Sequence, residues 1–470
     1  MSKFPERREL EGVIARFSKE ALQYLESVDD RPVLSPKSTE ILNQFRGSLP
    51  EDGIGADQAL DELYSRVDAV ATTSGPRCFH FVIGGSTPAS LGADLWASLT
   101  DQLAYAWVSS PLATSLETLS LEWLKDLFRL PAELSGVIVT GATMGNFIGL
   151  AAARQWWAEQ HGVDVAEEGL SVLPPVPIIA SGLIHPAAIK CISMLGIGRT
   201  NVNRLVRDDS GQVDLAAMEL ALQQLQGKPA IVVATVGEPN AGMFDPVNDI
   251  ADLTEKYGAW LHVDGAFGLF ANISPKTNHL TRGVERAQSI AVDGHKWLNV
   301  PYDCGFGFVR GRHYLSRAFA YSAAYLADDD EERPVYGTLS PQSSRRARSL
   351  SVWATLRAYG RSGYRKLVEQ HLELAQHLGN LIDASPDFER LADIDLNVVC
   401  FRYNPGGFSE SDLNKINHRL GEAIITDGRI YVGSTIFRGK AALRPAIANW
   451  RTRCEDVEMI LTVARDLVVR

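Results

Sequence analysis

Lys296 stands between His295 and Trp297, just past the β-branched run Ser289-Ile290-Ala291-Val292 and the acid Asp293. An amine at the end of a buried strand is costly unless its charge is paired, neutralised or consumed in a covalent bond. The chemistry this suggests is a Schiff-base lysine, an amine condensed with an aldehyde. A bare His-Lys-Trp also occurs in ordinary exposed turns. The ends of the other apolar runs decide between the two readings.

Three further runs end in polar groups. Val137-Ile138-Val139-Thr140 leads through Gly141-Ala142-Thr143-Met144-Gly145-Asn146 into a helix expected over residues 147–157. Small residues and a hydroxyl at a helix N-terminus form an anion cradle, because free N–H groups and the helix dipole both favour phosphate. A plain N-cap by Thr143 is the alternative. Ile179-Ala180 is followed by Ser181-Gly182-Leu183-Ile184-His185-Pro186, whose histidine is either structural or stacks on a flat heterocycle as an acid or base. Trp260-Leu261-His262-Val263 ends on Asp264-Gly265-Ala266-Phe267. Asp264 is either a helix cap or a buried carboxylate in need of a cation, which a protonated pyridine nitrogen supplies. Phosphate cradle, stacking imidazole, ring-nitrogen carboxylate and amine, in that order, describe a site for pyridoxal 5′-phosphate (PLP).

The elements that must position these groups are short apolar runs at residues 137–140, 177–180, 230–235, 260–263, 289–292 and 306–309, alternating with helical patterns. Strands apolar on both faces that alternate with helices predict an α/β fold with a mostly parallel sheet covered on both sides. Ligands of such sheets lie at the carboxyl ends of the strands. Ahead of this region Leu10, Val13, Ile14, Phe17, Ala21, Tyr24, Leu25 and Val28 form one helical stripe, read as covering a partner subunit. Helical patterns follow near 58–72, 91–103 and 112–127, with a glycine-rich turn at 83–88. Residues 326–334 carry Asp328-Asp329-Asp330-Glu331-Glu332 and read as an exposed, mobile loop. The C-terminal part reads as a smaller α+β segment with strands at 398–401, 431–432 and 442–447. The expected domains are an N-terminal arm (1–75), a large α/β domain (76–355) and a small C-terminal domain (356–470).

Composition narrows the function classes. The chain has 470 residues and a net charge of -11, which offers no basic face for nucleic acid or anionic lipid. No apolar run approaches the length of a membrane span. The first residues lack a secretory h-region, so no export is implied. Cys78, Cys191, Cys304, Cys400 and Cys454 are scattered without metal-ligand spacing, which suits reduced thiols in a cytoplasm and no metal site.

With Leu261-His262-Val263-Asp264, His295-Lys296-Trp297, Ser344-Arg345-Arg346-Ala347-Arg348-Ser349-Leu350-Ser351-Val352-Trp353, and Ser110-Pro111, Thr114 and Glu117, the sequence resembles the PLP-dependent amino-acid decarboxylases of the aromatic-L-amino-acid and glutamate decarboxylase group (group II). The resemblance runs over roughly residues 70–360. It implies the aspartate-aminotransferase-like fold (PLP fold type I), with a seven-stranded sheet. It implies that Lys296 carries PLP, that Ala142, Thr143 and His295 hold the phosphate with Asn146 and Asp293 nearby, and that His185 stacks over the ring. Asp264 would pair with the ring nitrogen beneath Ala266, and Arg444 matches an arginine near the active site. Phe81 and Ile83 fall in the run Phe81-Val82-Ile83-Gly84-Gly85, where the aromatic decarboxylases keep their substrate pocket. Tyr336, counted back from Arg345-Arg346, matches a loop tyrosine that helps return a proton to the substrate carbon; plant relatives with phenylalanine there form aldehydes. Gly237-Glu238-Pro239-Asn240 replaces the group's Gly-Thr-Thr, leaving Asn240 as the substitute contact to the cofactor's 3′ oxygen.

The implied activity is loss of CO2 from an L-amino acid, catalysed by Lys296, His185 and Tyr336. Aromatic substrates are favoured, because fixed negative charge at 328–332 disfavours a second carboxylate. The implied assembly is a homodimer with active sites near the subunit interface. An aminotransferase, a carbon–carbon lyase or an oxidative decarboxylase on the same scaffold is the enzymatic alternative, and a PLP-binding protein without turnover is the non-enzymatic one.

Overall fold

The structure, a computed structural model, describes residues 7, 9–45, 47–321 and 333–468. They divide into two compact units: residues 84–376 with 393–398, and residues up to 83 with 377–392 and those from 399 onward.

The larger unit is built on seven strands: β1 (Leu134–Val139), β2 (Ile178–Ala180), β3 (Val202–Arg204), β4 (Ile231–Thr235), β5 (Trp260–Asp264), β6 (Ser289–Asp293) and β7 (Gly305–Arg310). Their order is β1-β7-β6-β5-β4-β2-β3. β7 runs antiparallel to both neighbours, and the remaining pairs are parallel. β4, β5 and β6 are buried along their whole length, which explains their unbroken apolar runs. Six of the seven strands fall on the expected runs. β3 has no apolar run to announce it, because it is a three-residue edge strand that is mostly exposed.

The helix Ala142–Glu159 packs on β6 and β7. It starts at Ala142, with Gly141 as N-cap, so its small residues belong to the helix and Thr143 is not the cap. Gly145 and Gly149 let it lie close to the sheet. A Cβ on Gly145 would come 2.7 Å from the Phe306 carbonyl oxygen, and one on Gly149 2.8 Å from Cε1 of His262. The close approach puts Asn146, between them, against β5.

The smaller unit holds a four-stranded antiparallel sheet of Phe388–Arg390, Phe401–Tyr403, Ser434–Phe437 and Lys440–Leu443. Its other pairing is parallel, Cys78–Phe79 with Tyr431–Val432. The expected boundary at 355/356 falls inside one helix, Ser349–Asp383, and the units part further on, at 376/377. The helix tolerates a break at Gly360, which takes φ 58° and ψ -173°. Nor are residues 1–75 a separate arm: they group with the C-terminal strands and helices. The acidic cluster 328–332 lies outside the described residues.

Candidate active site

The site is assembled at the carboxyl ends of β5 and β6, where Asp264 stands opposite Ala291. Beyond β6 the chain turns sharply, with the N–H groups of Gly294 and His295 both donating to the Cys304 carbonyl. The Lys296 backbone is clamped in that turn. A Cβ on Gly84 would come 1.7 Å from the Lys296 carbonyl oxygen, so only glycine fits there. The Trp297 indole donates to His371 Nδ1 at 2.7 Å in the core. An amine mounted on so fixed a backbone is preorganised.

Lys296 Nζ lies 2.9 Å from Asp293 Oδ2 and 5.7 Å from the centre of the Phe267 ring. Asp293 is a hub: its Oδ1 also accepts the Ala142 N–H and stands 3.2 Å from His295 Nε2. The Cys304 N–H donates to His295 Nδ1, which leaves the proton on Nε2, facing Asp293. Burial holds the His295 pKa below its ordinary value, and the ring stacks on Tyr302 at 4.0 Å. Asp293 therefore ties Lys296, His295 and the helix N-terminus into one cluster.

Asp264 has a different environment. It is buried, accepting from Asn146 Nδ2 at 3.0 Å and from the Ala266 N–H at 3.2 Å. Both donors are neutral, and among the described residues Asp264 makes no ion pair. Ala266 links the two acids, since its carbonyl accepts the Asp293 N–H. His185 caps the helix Pro186–Met194, with Nδ1 accepting the Ala187 N–H. That bond fixes the ring tautomer, so Nε2 carries the proton. Thr143 is exposed in the first turn of Ala142–Glu159, and its carbonyl accepts from Cys191 Sγ. A Cβ on Gly141 would come 2.9 Å from His295 Cε1 and 3.1 Å from Asp293 Oδ1, so the glycine keeps this entrance open.

These residues suit PLP: an amine on a rigid turn, a helix N-terminus whose N-cap is the glycine Gly141, and a buried carboxylate whose donors among the described residues are neutral. Lys296, Asp293, His295, Ala142, Asn146, Asp264 and Ala266 are brought together as the sequence leads one to expect. Tyr336 is not brought to this cluster within its own chain. It is buried, its hydroxyl pairing with Thr118 Oγ1 at 3.0 Å and its ring 5.4 Å from the guanidinium carbon of Arg345. Arg345 in turn makes a buried ion pair with Glu117 at 2.6 Å. Phe81, Ile83 and Arg444 belong to the smaller unit. Phe81 is exposed at φ 58° and stacks on His80. Ile83 is buried and packs with Val33 and Cys78. Glu238 folds back to accept the N–H groups of Asn240 and Ala241, which makes the unusual Gly-Glu-Pro-Asn a self-capped turn.

Three residues of the region escaped the sequence reading: His262 and Ser289, both fully buried, and Trp260. The available signal was period two. Trp260, His262 and Asp264 alternate along β5 and so share one face.

A conserved pyridoxal-dependent decarboxylase domain matches residues 45–404. The aromatic-L-amino-acid decarboxylase of Bacillus atrophaeus is 28% identical, the match covering 94% of this chain and 91% of that one. Phenylacetaldehyde synthase of Arabidopsis thaliana is 27% identical, over 90% of this chain and 88% of the relative. Among solved structures, Oryza sativa TDC with PLP and tryptamine superposes with a TM-score of 0.91 at 26% identity, covering 100% of this chain and 99% of that one. With the domain match spanning most of its length and the sheet order, lysine turn and paired acids in place, the chain belongs to the pyridoxal-dependent decarboxylase family.

Proposed function

We propose that the protein removes CO2 from an aromatic L-amino acid to give the amine, with Lys296 as the lysine that carries PLP. The observation that carries the assignment is the Lys296–Asp293 pair at 2.9 Å, one strand away from a buried Asp264 that makes no ion pair among the described residues. Bound PLP supplies an electron sink for the pair left behind when the carboxylate departs. Asp264 would hold the ring nitrogen protonated, Asn146 keeping its carboxylate in place. Ala142, Thr143 and His295 would hold the phosphate, at a helix N-terminus whose dipole favours an anion. Asp293 would keep the Lys296 amine and the His295 ring oriented. His185 would lie over the ring, where an imidazole can serve as acid or base.

The proton returned to the α-carbon would come from Tyr336 or His185. Burial raises the Tyr336 pKa, so its hydroxyl stays a proton donor at neutral pH. Because Tyr336 stands on Thr118 in its own chain, it would serve the site of a neighbouring subunit. A homodimer is supported by apolar side chains left exposed on a single chain. Leu95, Trp96, Leu99 and Leu103 are exposed on and just beyond the helix Pro88–Thr100, and Leu10, Ile14, Leu22 and Leu25 on the helix Glu9–Ser27. Light scattering should give twice the chain mass; an active monomer would contradict this. A cytoplasmic location is supported by five cysteines that form no disulfide.

The aromatic preference is supported by the named relatives and by the acidic residues at 328–332. Mass spectrometry with L-tryptophan, L-tyrosine, L-phenylalanine and L-glutamate tests it. The reading expects one amine per CO2 from an aromatic member. Keto acid in place of amine would make the protein an aminotransferase, and aldehyde with ammonia would make it an oxidative decarboxylase.

A further inference from the structure

Behind Asp264 lies a row of buried polar groups that the decarboxylation scheme does not use. The Trp260 indole donates to Ser289 Oγ at 2.8 Å, and Ser289 Oγ is 2.8 Å from His262 Nδ1. His262 Nε2 is 2.7 Å from Asn146 Oδ1, and Asn146 Nδ2 donates to Asp264 Oδ2 at 3.0 Å. All five side chains are buried, with His262, Asn146 and Ser289 at 0% exposure.

The chemistry of the end groups sets the direction of every bond. An indole N–H can only donate, so Ser289 Oγ accepts there and its own hydrogen is free for His262 Nδ1. An ionised carboxylate can only accept, so the Asn146 amide nitrogen faces Asp264 and its carbonyl faces His262. His262 must then carry its proton on Nε2. Every donor in the row points toward Asp264, and aligned hydrogen bonds in a dry interior reinforce one another. Burial pushes the His262 pKa down to about 3, which keeps the ring neutral as this pattern requires.

We propose that His262 is a positioning residue for the decarboxylase: the polarised row Trp260–Ser289–His262–Asn146 holds the Asp264 carboxylate in place and aimed at the cofactor's ring nitrogen. The row acts through Asn146; His262 touches neither cofactor nor substrate. Its period-two placement serves this role. Trp260, His262 and Asp264 share one face of β5, Ser289 is the register partner of His262 on β6, and Gly149 leaves the ring its space. The inference rests on the assignment of Asp264 to the ring nitrogen.

Two measurements separate this role from simple packing. In the protein without cofactor, ¹⁵N NMR of labelled histidines, with His262 assigned by its absence in His262→Gln, should show the Nε2–H tautomer at neutral pH. An Nδ1–H tautomer or an imidazolium would overturn the row. Ser289→Ala and His262→Phe are then titrated with PLP. Ser289→Ala should weaken PLP binding a few-fold and His262→Phe about tenfold, the worth of a lost hydrogen bond in a charged network. Both should lower kcat with KM little changed, and both should shift the visible absorbance of bound PLP. Variants that melt earlier but bind PLP with unchanged Kd and absorbance would make the row merely structural and overturn the proposal. If His262→Phe does not fold, Ser289→Ala, which removes one hydroxyl, carries the same comparison. Failure of the Asp264 assignment looks different: Asp264→Asn would then leave PLP binding and absorbance unchanged.

Discussion

Asp264 and Asp293 end neighbouring strands, are both buried, and are joined through Ala266, yet their surroundings are opposite. Asp293 has a lysine, an imidazole and a helix N-terminus within reach. Among the described residues, Asp264 accepts from the Asn146 amide and one backbone N–H. A buried carboxylate without a cation is costly, and one already paired is satisfied. Asp264 is therefore placed to receive a positive charge from a ligand, as the proposed function requires, and Asp293 organises groups the chain already owns. Residue type alone does not separate them; the partners do.

The largest effect that sharpens this contrast is at the amine they flank. Lys296→Ala should abolish the visible absorbance of bound PLP and lower kcat by roughly a thousandfold or more. Asp264→Asn comes next. It keeps the shape of the side chain but removes the charge, and about a hundredfold loss of kcat is expected, the scale of a lost electrostatic contact to a developing charge. Asp293→Asn leaves an oxygen to accept the Ala142 N–H and should cost nearer tenfold, mostly in PLP affinity. Steady-state kinetics with PLP titration check all three. Equal losses of kcat for the two aspartate variants would break the comparison.

A third buried acid extends it. Asp245 accepts the Thr235 N–H and the Ser181 hydroxyl, both at 2.8 Å, and burial pushes its pKa up to about 6 from 3.8. Unlike a paired carboxylate, it binds its proton more tightly in the folded state. Between about pH 6 and 4 the folded protein takes up a proton that the unfolded chain does not, so acidification stabilises the fold there. A titration near 6 instead of 3.8 corresponds to about 3 kcal/mol, present below pH 4 and lost as pH rises past 6. Asp245→Asn should remove this contribution, seen as a flatter dependence of the urea midpoint on pH than in the unaltered protein. Identical slopes would show that Asp245 is ionised throughout.

Most of the frame could be read in advance because buried parallel strands need unbroken apolar runs, and β4, β5 and β6 have them. Lys296, Asp264 and Thr143 stood out because each follows such a run. What could not be read depends on contacts made across the sequence. His262 looked like one polar residue in an apolar strand until Asn146 and Ser289 were placed beside it. The start of Ala142–Glu159 was hidden by glycines whose use is close packing on β6 and β7. The packing of Ile83 on Val33 and Cys78 joins residues some fifty positions apart, which no local pattern announces. The two units part at 376/377, inside the helix Ser349–Asp383, where the sequence pattern shows no break.

The most direct test of the site is to find the lysine that carries PLP. Borohydride reduction of the PLP-loaded protein, followed by proteolysis and mass spectrometry, should place the reduced cofactor on the peptide containing Lys296, with none on that peptide in Lys296→Ala. Label on a different lysine, or no covalent label in protein that binds PLP, would contradict the account.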